Sequence, residues 1–227
     1  MAKLVWDAPG THLYETGVDH GVLYTLDANK AYTIAEVWNG LTSVTASPSG
    51  AEETKLWADN INYASLRSAE SFGGTIEAYT YPNNFMACDG TASPVAGLYI
   101  GQQPRSMFGL AYRTLVGNEV DLNDHGYKLH LIYGATCSPS QKQYSTVNDS
   151  PEAISFSWEF TTTPVSFSVG NITYKPTAEI VIDSTKFPKQ QNGDPNAKLA
   201  ALEDKLFGSS NTSAYLPLPA EVISTLS

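Results

Sequence analysis

Four histidines (His12, His20, His125 and His130), two cysteines (Cys88 and Cys137) and scattered serines and carboxylates are the side chains through which this chain could do chemistry. Nucleophilic catalysis needs a Ser or Cys beside a His that a carboxylate orients. No Gly-x-Ser-x-Gly elbow surrounds any Ser. His125 and His130 fall on a turn and a strand without sharing a strand face, so they are poorly placed to share a metal. His130 alternates with Leu129 and Leu131, on the polar side of its predicted strand, where solvation is its plainer role. There is no His-x-x-x-His pair, no Walker loop and no Gly-x-Gly-x-x-Gly. Paired carboxylates remain: a glycosidase needs two acids roughly 5–10 Å apart. Glu77 and Glu159 both fall on polar faces of predicted strands, so proximity is possible. Sugar sites usually add exposed aromatic platforms, whereas the strand aromatics here fall mainly on apolar faces. The expectation is therefore no enzyme, no metal and no cofactor.

The elements that would position these residues are mostly strands. From Ile154 the alternation is strict, with Ile154, Phe156, Trp158 and Phe160 on one side and Ser155, Ser157 and Glu159 on the other. Successive side chains of a strand face opposite sides of a sheet, so this strand pairs an apolar face with a thin, small, weakly acidic one. Further strands are predicted at Val22–Leu26, Tyr32–Trp38, Thr75–Tyr81, Met107–Leu115, Tyr127–Tyr133 and Ala178–Ile182. Turn-rich connections separate them, and the stretch from about 46 to 60, with Pro48, Gly50, Glu52 and Glu53, reads as a long loop meeting Leu56 and Trp57. One helix is predicted over about 195–207. Asp194 would cap it, Pro195 would open it and Gly208 would close it, around a Leu199, Leu202, Leu206 stripe. A short helical turn is expected near Asn83–Cys88. The last residues, from Tyr215-Leu-Pro-Leu-Pro219 on, read as an extended apolar tail that must dock on its own domain or on a neighbour. Asp19-His-Gly21 and Asp124-His-Gly126 are similar turn-to-strand entries rather than a repeat.

The 227 residues suffice for one sizeable core, and a single domain with an extended N-terminal segment over about 1–20 is expected. Only 16% of residues are charged, and 13 Tyr, 13 Pro and 17 Gly favour strands and turns. A net charge of −10, from 23 acids against 13 bases, argues against a basic nucleic-acid footprint. It leaves room for a surface that repels nucleic acid. Arg105 and Arg113 are isolated and form no basic stripe. The distant cysteines read as reduced and buried. Neither a signal peptide nor a membrane-spanning run is expected. A charge-poor chain with long loops and an apolar tail suggests surfaces for self-association.

An ordered series of short stretches resembles the major tail (tail tube) proteins of long-tailed, non-contractile bacteriophages. It runs through Leu56-Trp-Ala-Asp59, Thr75-Ile-Glu-Ala-Tyr-Thr-Tyr-Pro82, Cys88-Asp-Gly90 and Ile100-Gly-Gln-Gln-Pro-Arg105. It continues in Phe108-Gly-Leu-Ala-Tyr-Arg113, Gly126-Tyr-Lys-Leu-His-Leu-Ile-Tyr-Gly134 and Tyr144 to Glu152. It ends at Ala197-Lys-Leu-Ala-Ala-Leu-Glu203 and Leu216-Pro-Leu-Pro219. The resemblance implies a β-sandwich or barrel with a flanking helix, forming six-membered rings that stack into a hollow tube. That tube would conduct phage DNA to the host during ejection. It also implies a virion location after assembly in the host cytoplasm, no membrane, and a tape-measure protein, a tail terminator and distal tail proteins as partners. Some relatives look longer, with an immunoglobulin-like domain after the Leu-Pro-Leu-Pro segment; none is expected here. On this reading Thr75, Glu77, Tyr79, Ser155, Ser157 and Glu159 would line a lumen past which double-stranded DNA slides. Ile154, Phe156, Trp158, Phe160, Ile76 and Ala78 would pack inward. The stretch with Glu52, Glu53, Leu56 and Trp57 would make the ring-to-ring contact, with Trp57 as apolar anchor. A phage adhesin or carbohydrate-binding β-sandwich is the alternative, and it would expose its aromatics and stay a monomer or trimer.

Overall fold

The computed structural model describes residues 4–146, 153–188, 190 and 196–227. Along the chain run β1 (Tyr14–Thr25), β2 (Ile34–Val37), β3 (Leu41–Ala46), the short β4 (Ser49–Gly50), β5 (Glu53–Ala58) and β6 (Ile61–Arg67). The short β7 (Glu70–Ser71), β8 (Gly73–Ala78), the single-turn helix α1 (Phe85–Cys88), β9 (Ala92–Val95) and β10 (Leu98–Ile100) follow. Then come the long strands β11 (Phe108–Asn118) and β12 (Leu122–Cys137). The chain closes with β13 (Phe156–Thr162), β14 (Ser168–Val169), β15 (Ile172–Thr173), β16 (Glu179–Asp183), α2 (Ala197–Phe207) and α3 (Pro219–Leu226). The fold is mainly β, as expected.

The large antiparallel sheet has the order β2-β1-β11-β12-β13-β8-β3, with β16 also paired to β12. β12 makes this branching possible. Residues 128–132 pair with β16, and residues 135–137 pair with β13. Between them Gly134 sits at φ +62, with the Thr163 carbonyl 2.3 Å from where a Cβ would stand. Only glycine combines that turn with so close a backbone approach.

Apolar residues on both faces of β1, β11 and β12 create two cores, as near-continuous apolar runs do when a sheet is covered on both sides. On one face Leu23, Leu110 and Ile132 share a cluster with Ile76, Ala78, Trp158, Phe160 and Phe85. The β13-β8-β3 part of the sheet therefore folds back over the central strands, with α1 plugging the gap. On the other face Val22, Tyr24, Leu129, Leu131 and Tyr133 meet Leu199, Leu202 and Leu206 of α2 and Val222 of α3.

Three expectations for the chain after residue 150 are corrected. Asp194 and Pro195 lie outside the described residues, and the side chain of Asn196 caps α2 by accepting the Lys198 N–H at 3.0 Å. The segment over 208–227 first turns, with Ser209 and Thr212 exchanging backbone hydrogen bonds, and then runs without helix or strand to Leu218. Pro219, preset for a first helical turn, then opens α3, which Lys205 ties to α2 through Glu221 at 2.8 Å. Tyr133 Oη donates to the Pro217 carbonyl and so fixes the tail to its own sheet. Ile154 is 39% exposed and stands outside β13, which starts at Phe156.

The stretch expected as a loop over 46–60 is strand. Because β3 pairs β8, β4 pairs β7 and β5 pairs β6, residues 41–78 form one long, interrupted hairpin. At its tip Asp59 and Asn60 both have positive φ, +51 and +64, between the paired Ala58 and Ile61. That is the two-residue primed turn whose twist matches paired strands.

Candidate functional site

The base of this hairpin and β13 build one polar surface. Ser157 lies opposite Glu77 and Glu159 opposite Thr75, while Ser43 and Thr45 of β3 lie opposite Glu77 and Thr75 on the other side. Ser43 Oγ donates to Glu77 Oε2 at 2.9 Å. The inward partners of the same strands, Trp158, Phe160, Ile76 and Ala78, are fully or almost fully buried, and Phe156 packs against them. Gly74 opens room for this arrangement. A Cβ there would stand 2.2 Å from the Thr45 carbonyl and 3.0 Å from the Phe160 ring.

Four of the six residues expected to share a surface, Thr75, Glu77, Ser157 and Glu159, are thus neighbours on one ladder. Tyr79 follows the end of β8 and Ser155 precedes β13, and both are exposed. Thr161 extends the surface toward Thr136 of β12. The ladder positions named on this face are Ser, Thr or Glu, with no Lys or Arg among them.

Glu77 and Glu159 are diagonal neighbours, at a separation of roughly 7–8 Å between strand positions. That lies in the range for paired catalytic acids, but the surface around them is an open ladder of short polar side chains. A recess of about 560 Å³ lies elsewhere, among Arg113, Tyr127, Phe187 and Leu199. The histidines are partnered by other groups: His12 by Asp7 and Glu119, His20 by Asp19, and His125 by Asp121. His130 is not the solvated strand residue expected from its alternation. It stacks on Tyr112 with ring centroids 4.6 Å apart and meets Thr114 Oγ1 at 3.0 Å. Cys88 and Cys137 are free thiols in the core, and burial pushes the Cys88 thiol up to about 12.

The distal half of the hairpin has the opposite character. Every residue of β5 is exposed, as is every residue of β6 except Ala64. Trp57 is 69% and Tyr63 74% exposed, and Leu56, Ile61 and Leu66 are exposed with them. The register divides the ribbon into two faces. Leu56 and Ala64 pair beside Thr54 and Leu66 on one face, and Glu53 pairs with Arg67 and Lys55 with Ser65 on the other. Trp57, paired with Asn62 just past a register shift that leaves Tyr63 unpaired, alternates to the side of Glu53 and Lys55. An unsupported two-stranded ribbon is marginal in water, and five large exposed apolar side chains on one mark a contact surface. Glu52 and Glu53 stand at its root, where the Glu52 carbonyl accepts from Ser68 and Glu53 lies 3.9 Å from Arg67.

No protein-family model matches this chain, and no curated protein matches it. Among the described residues no helix is long and apolar enough to cross a membrane.

A second exposed apolar ribbon was not expected from the sequence. β9 and β10 form a short hairpin around Gly97, at φ +83, and expose Val95, Leu98, Tyr99 and Ile100. Its only sequence signal is Ala96-Gly97 between short apolar runs, which is easily lost among the surrounding Pro and Gly.

Proposed function

We propose that this chain is a structural subunit of a phage tail tube, without catalytic activity. Six copies close a ring, and rings stack into a hollow tube that conducts double-stranded DNA. The observation that carries this reading is the 41–78 hairpin. Its base contributes Ser43, Thr45, Thr75 and Glu77 to a smooth acidic face, and its tip holds Leu56 and Trp57 out in solvent. One element then joins the channel wall to the stacking contact. Carboxylates among short hydroxyl side chains repel phosphates and offer no cation that would hold them, which suits a polymer that must slide. The apolar tip meets a different surface of the next copy, and such heterologous contacts generate open-ended stacks. The partners that fit this role are the tape-measure, tail terminator and distal tail proteins.

Negative-stain electron microscopy of the purified full chain over a concentration series tests the proposal. Hollow tubes with a regular axial repeat are expected. The Trp57→Ala variant should melt within about 2 °C of the parent, because the residue is exposed, yet form few or no tubes. Monomers at every concentration would overturn the tube reading. Unaltered tubes from Trp57→Ala would overturn the role of the ribbon, and a map with Ser157 and Glu159 on the outer wall would overturn the lumen.

A further inference from the structure

The N-terminal arm is tied down from Asp7 to His12, where Asp7 meets His12 at 3.3 Å, and its described residues before Asp7 are exposed. Gly10 N and His12 N donate to the two carboxylate oxygens of Glu119 at 2.6 and 3.1 Å, and Thr11 N donates to the Ala8 carbonyl at 3.1 Å. Past this hydrogen-bonded loop Leu4, Val5 and Trp6 are 72%, 75% and 74% exposed. Three consecutive large apolar side chains are therefore presented to solvent from a fixed base.

A matching recess lies at the opposite end of β1. It measures about 370 Å³ and is lined mainly by apolar groups, among them Val22, Ala35, Val37 and Phe207. β2, which forms its rim, is the terminal strand of the sheet, and Val37 is 63% exposed on it. The arm does not reach the recess of its own chain. The recess begins at His20, and six residues of β1, at most about 20 Å of strand, separate it from Tyr14. From its anchor at Gly10, the chain back to Trp6 reaches at most about 14 Å.

We infer that Leu4-Val5-Trp6 of one copy seats in the β2–α2 recess of a second copy, with the Trp6 indole between Val37 and Phe207. The inference rests on the self-association proposed above and adds a contact to it. Donor and acceptor are different surfaces of the same chain, so the contact propagates from copy to copy. Tryptophan filling a desolvated pocket is the kind of anchor that dominates protein interfaces.

Cross-linking tests this directly. Val5→Cys and Val37→Cys are made as separate full-length variants; both sites are exposed, and the native Cys88 and Cys137 are free but buried. The two proteins are mixed at concentrations that support assembly and treated with a short bismaleimide. The expected result is a dimer band in the mixture that is absent from either variant alone. Adding Trp6→Ala to the Val5→Cys chain should lower its yield at least tenfold. Absence of the mixed product overturns the inference, whether or not tubes are present, and so does a product indifferent to Trp6→Ala. Tubes in the same samples are scored separately by microscopy. A failed arm contact with intact tubes leaves the tube reading standing, and a mixed dimer without tubes removes the tube reading alone.

Discussion

Trp158 shows how a single residue of β13 divides into stabilising and costly parts. It is fully buried against Trp38, Tyr81, Phe85 and Phe156, with ring centroids 5.0–5.8 Å away. Its Nε1 is buried with no hydrogen-bond partner among the described residues. An unpaired buried donor costs about 1–3 kcal/mol, which offsets part of what the ring contributes. Trp158→Phe removes the donor and keeps most of the ring contacts, so a loss of about 1 kcal/mol or less is expected. Trp158→Ala should cost about 3–5 kcal/mol. Urea unfolding of the unassembled chain measures both, and equal losses would show that the indole N–H is satisfied. Most of this residue's setting was legible from alternation, which separates Phe156, Trp158 and Phe160 from Ser157 and Glu159. Alternation alone does not say where a strand begins, and so Ile154, next to the ladder but outside it, was expected in the core.

Among elements, the tie between sheet and helix is polar and should respond to pH. Arg113 on β11 donates from Nε and Nη2 to the two Asp19 carboxylate oxygens on β1, each at 2.8 Å. Its guanidinium lies 5.0 Å from the Tyr127 ring centroid, and Tyr127 Oη donates to Glu203 on α2 at 2.5 Å. The Arg113 hydrogen bonds hold the Asp19 carboxyl below its usual value. A carboxyl depressed by folding contributes stability above its unfolded pKa, near ~4, and loses it as pH falls through the folded value. Asp19→Asn should therefore cost about 1 kcal/mol at neutral pH, a modest figure because the pair is partly solvated. That cost should shrink as pH falls below ~4 and through the lowered folded-state value, and parallel melting curves of parent and variant from pH ~7 downward would show the convergence. A constant gap would mean that the pair is not what Asp19 contributes. The sequence could not reveal this tie, because Asp19 and Arg113 meet only once β1 and β11 are in register. It revealed α2 well, through the Leu199, Leu202, Leu206 stripe. The 41–78 hairpin was hidden by Pro48, Gly50, Glu52 and Glu53, which locally favour a loop, although Asp59-Asn60 between Leu56-Trp57-Ala58 and Ile61 is fair primed-turn chemistry. α3 was hidden by the prolines before it, which mark a helix start as readily as an extended tail.

At the scale of the whole molecule, what matters is where charge is missing. The chain carries a net −10, yet that excess alone would not make a channel, since most of it could face outward. The β3-β8-β13 face adds a local condition, because Glu77 and Glu159 sit among Ser and Thr with no cation at the neighbouring ladder positions. Reversing those two charges tests whether the face meets DNA. Both side chains are exposed, so Glu77→Lys with Glu159→Lys should leave the subunit folded and, if its contacts lie at the ribbon and sheet edges, still able to assemble. Parent tubes sedimented with a short DNA duplex at physiological salt should carry none down. Tubes of the double variant should retain it at low salt and release it as salt rises, because each new ammonium–phosphate contact releases counterions on binding. Retention by the parent tubes would overturn the conduit. No gain in the variant would move this face away from the lumen, while leaving the ribbon-mediated stack to stand on its own test.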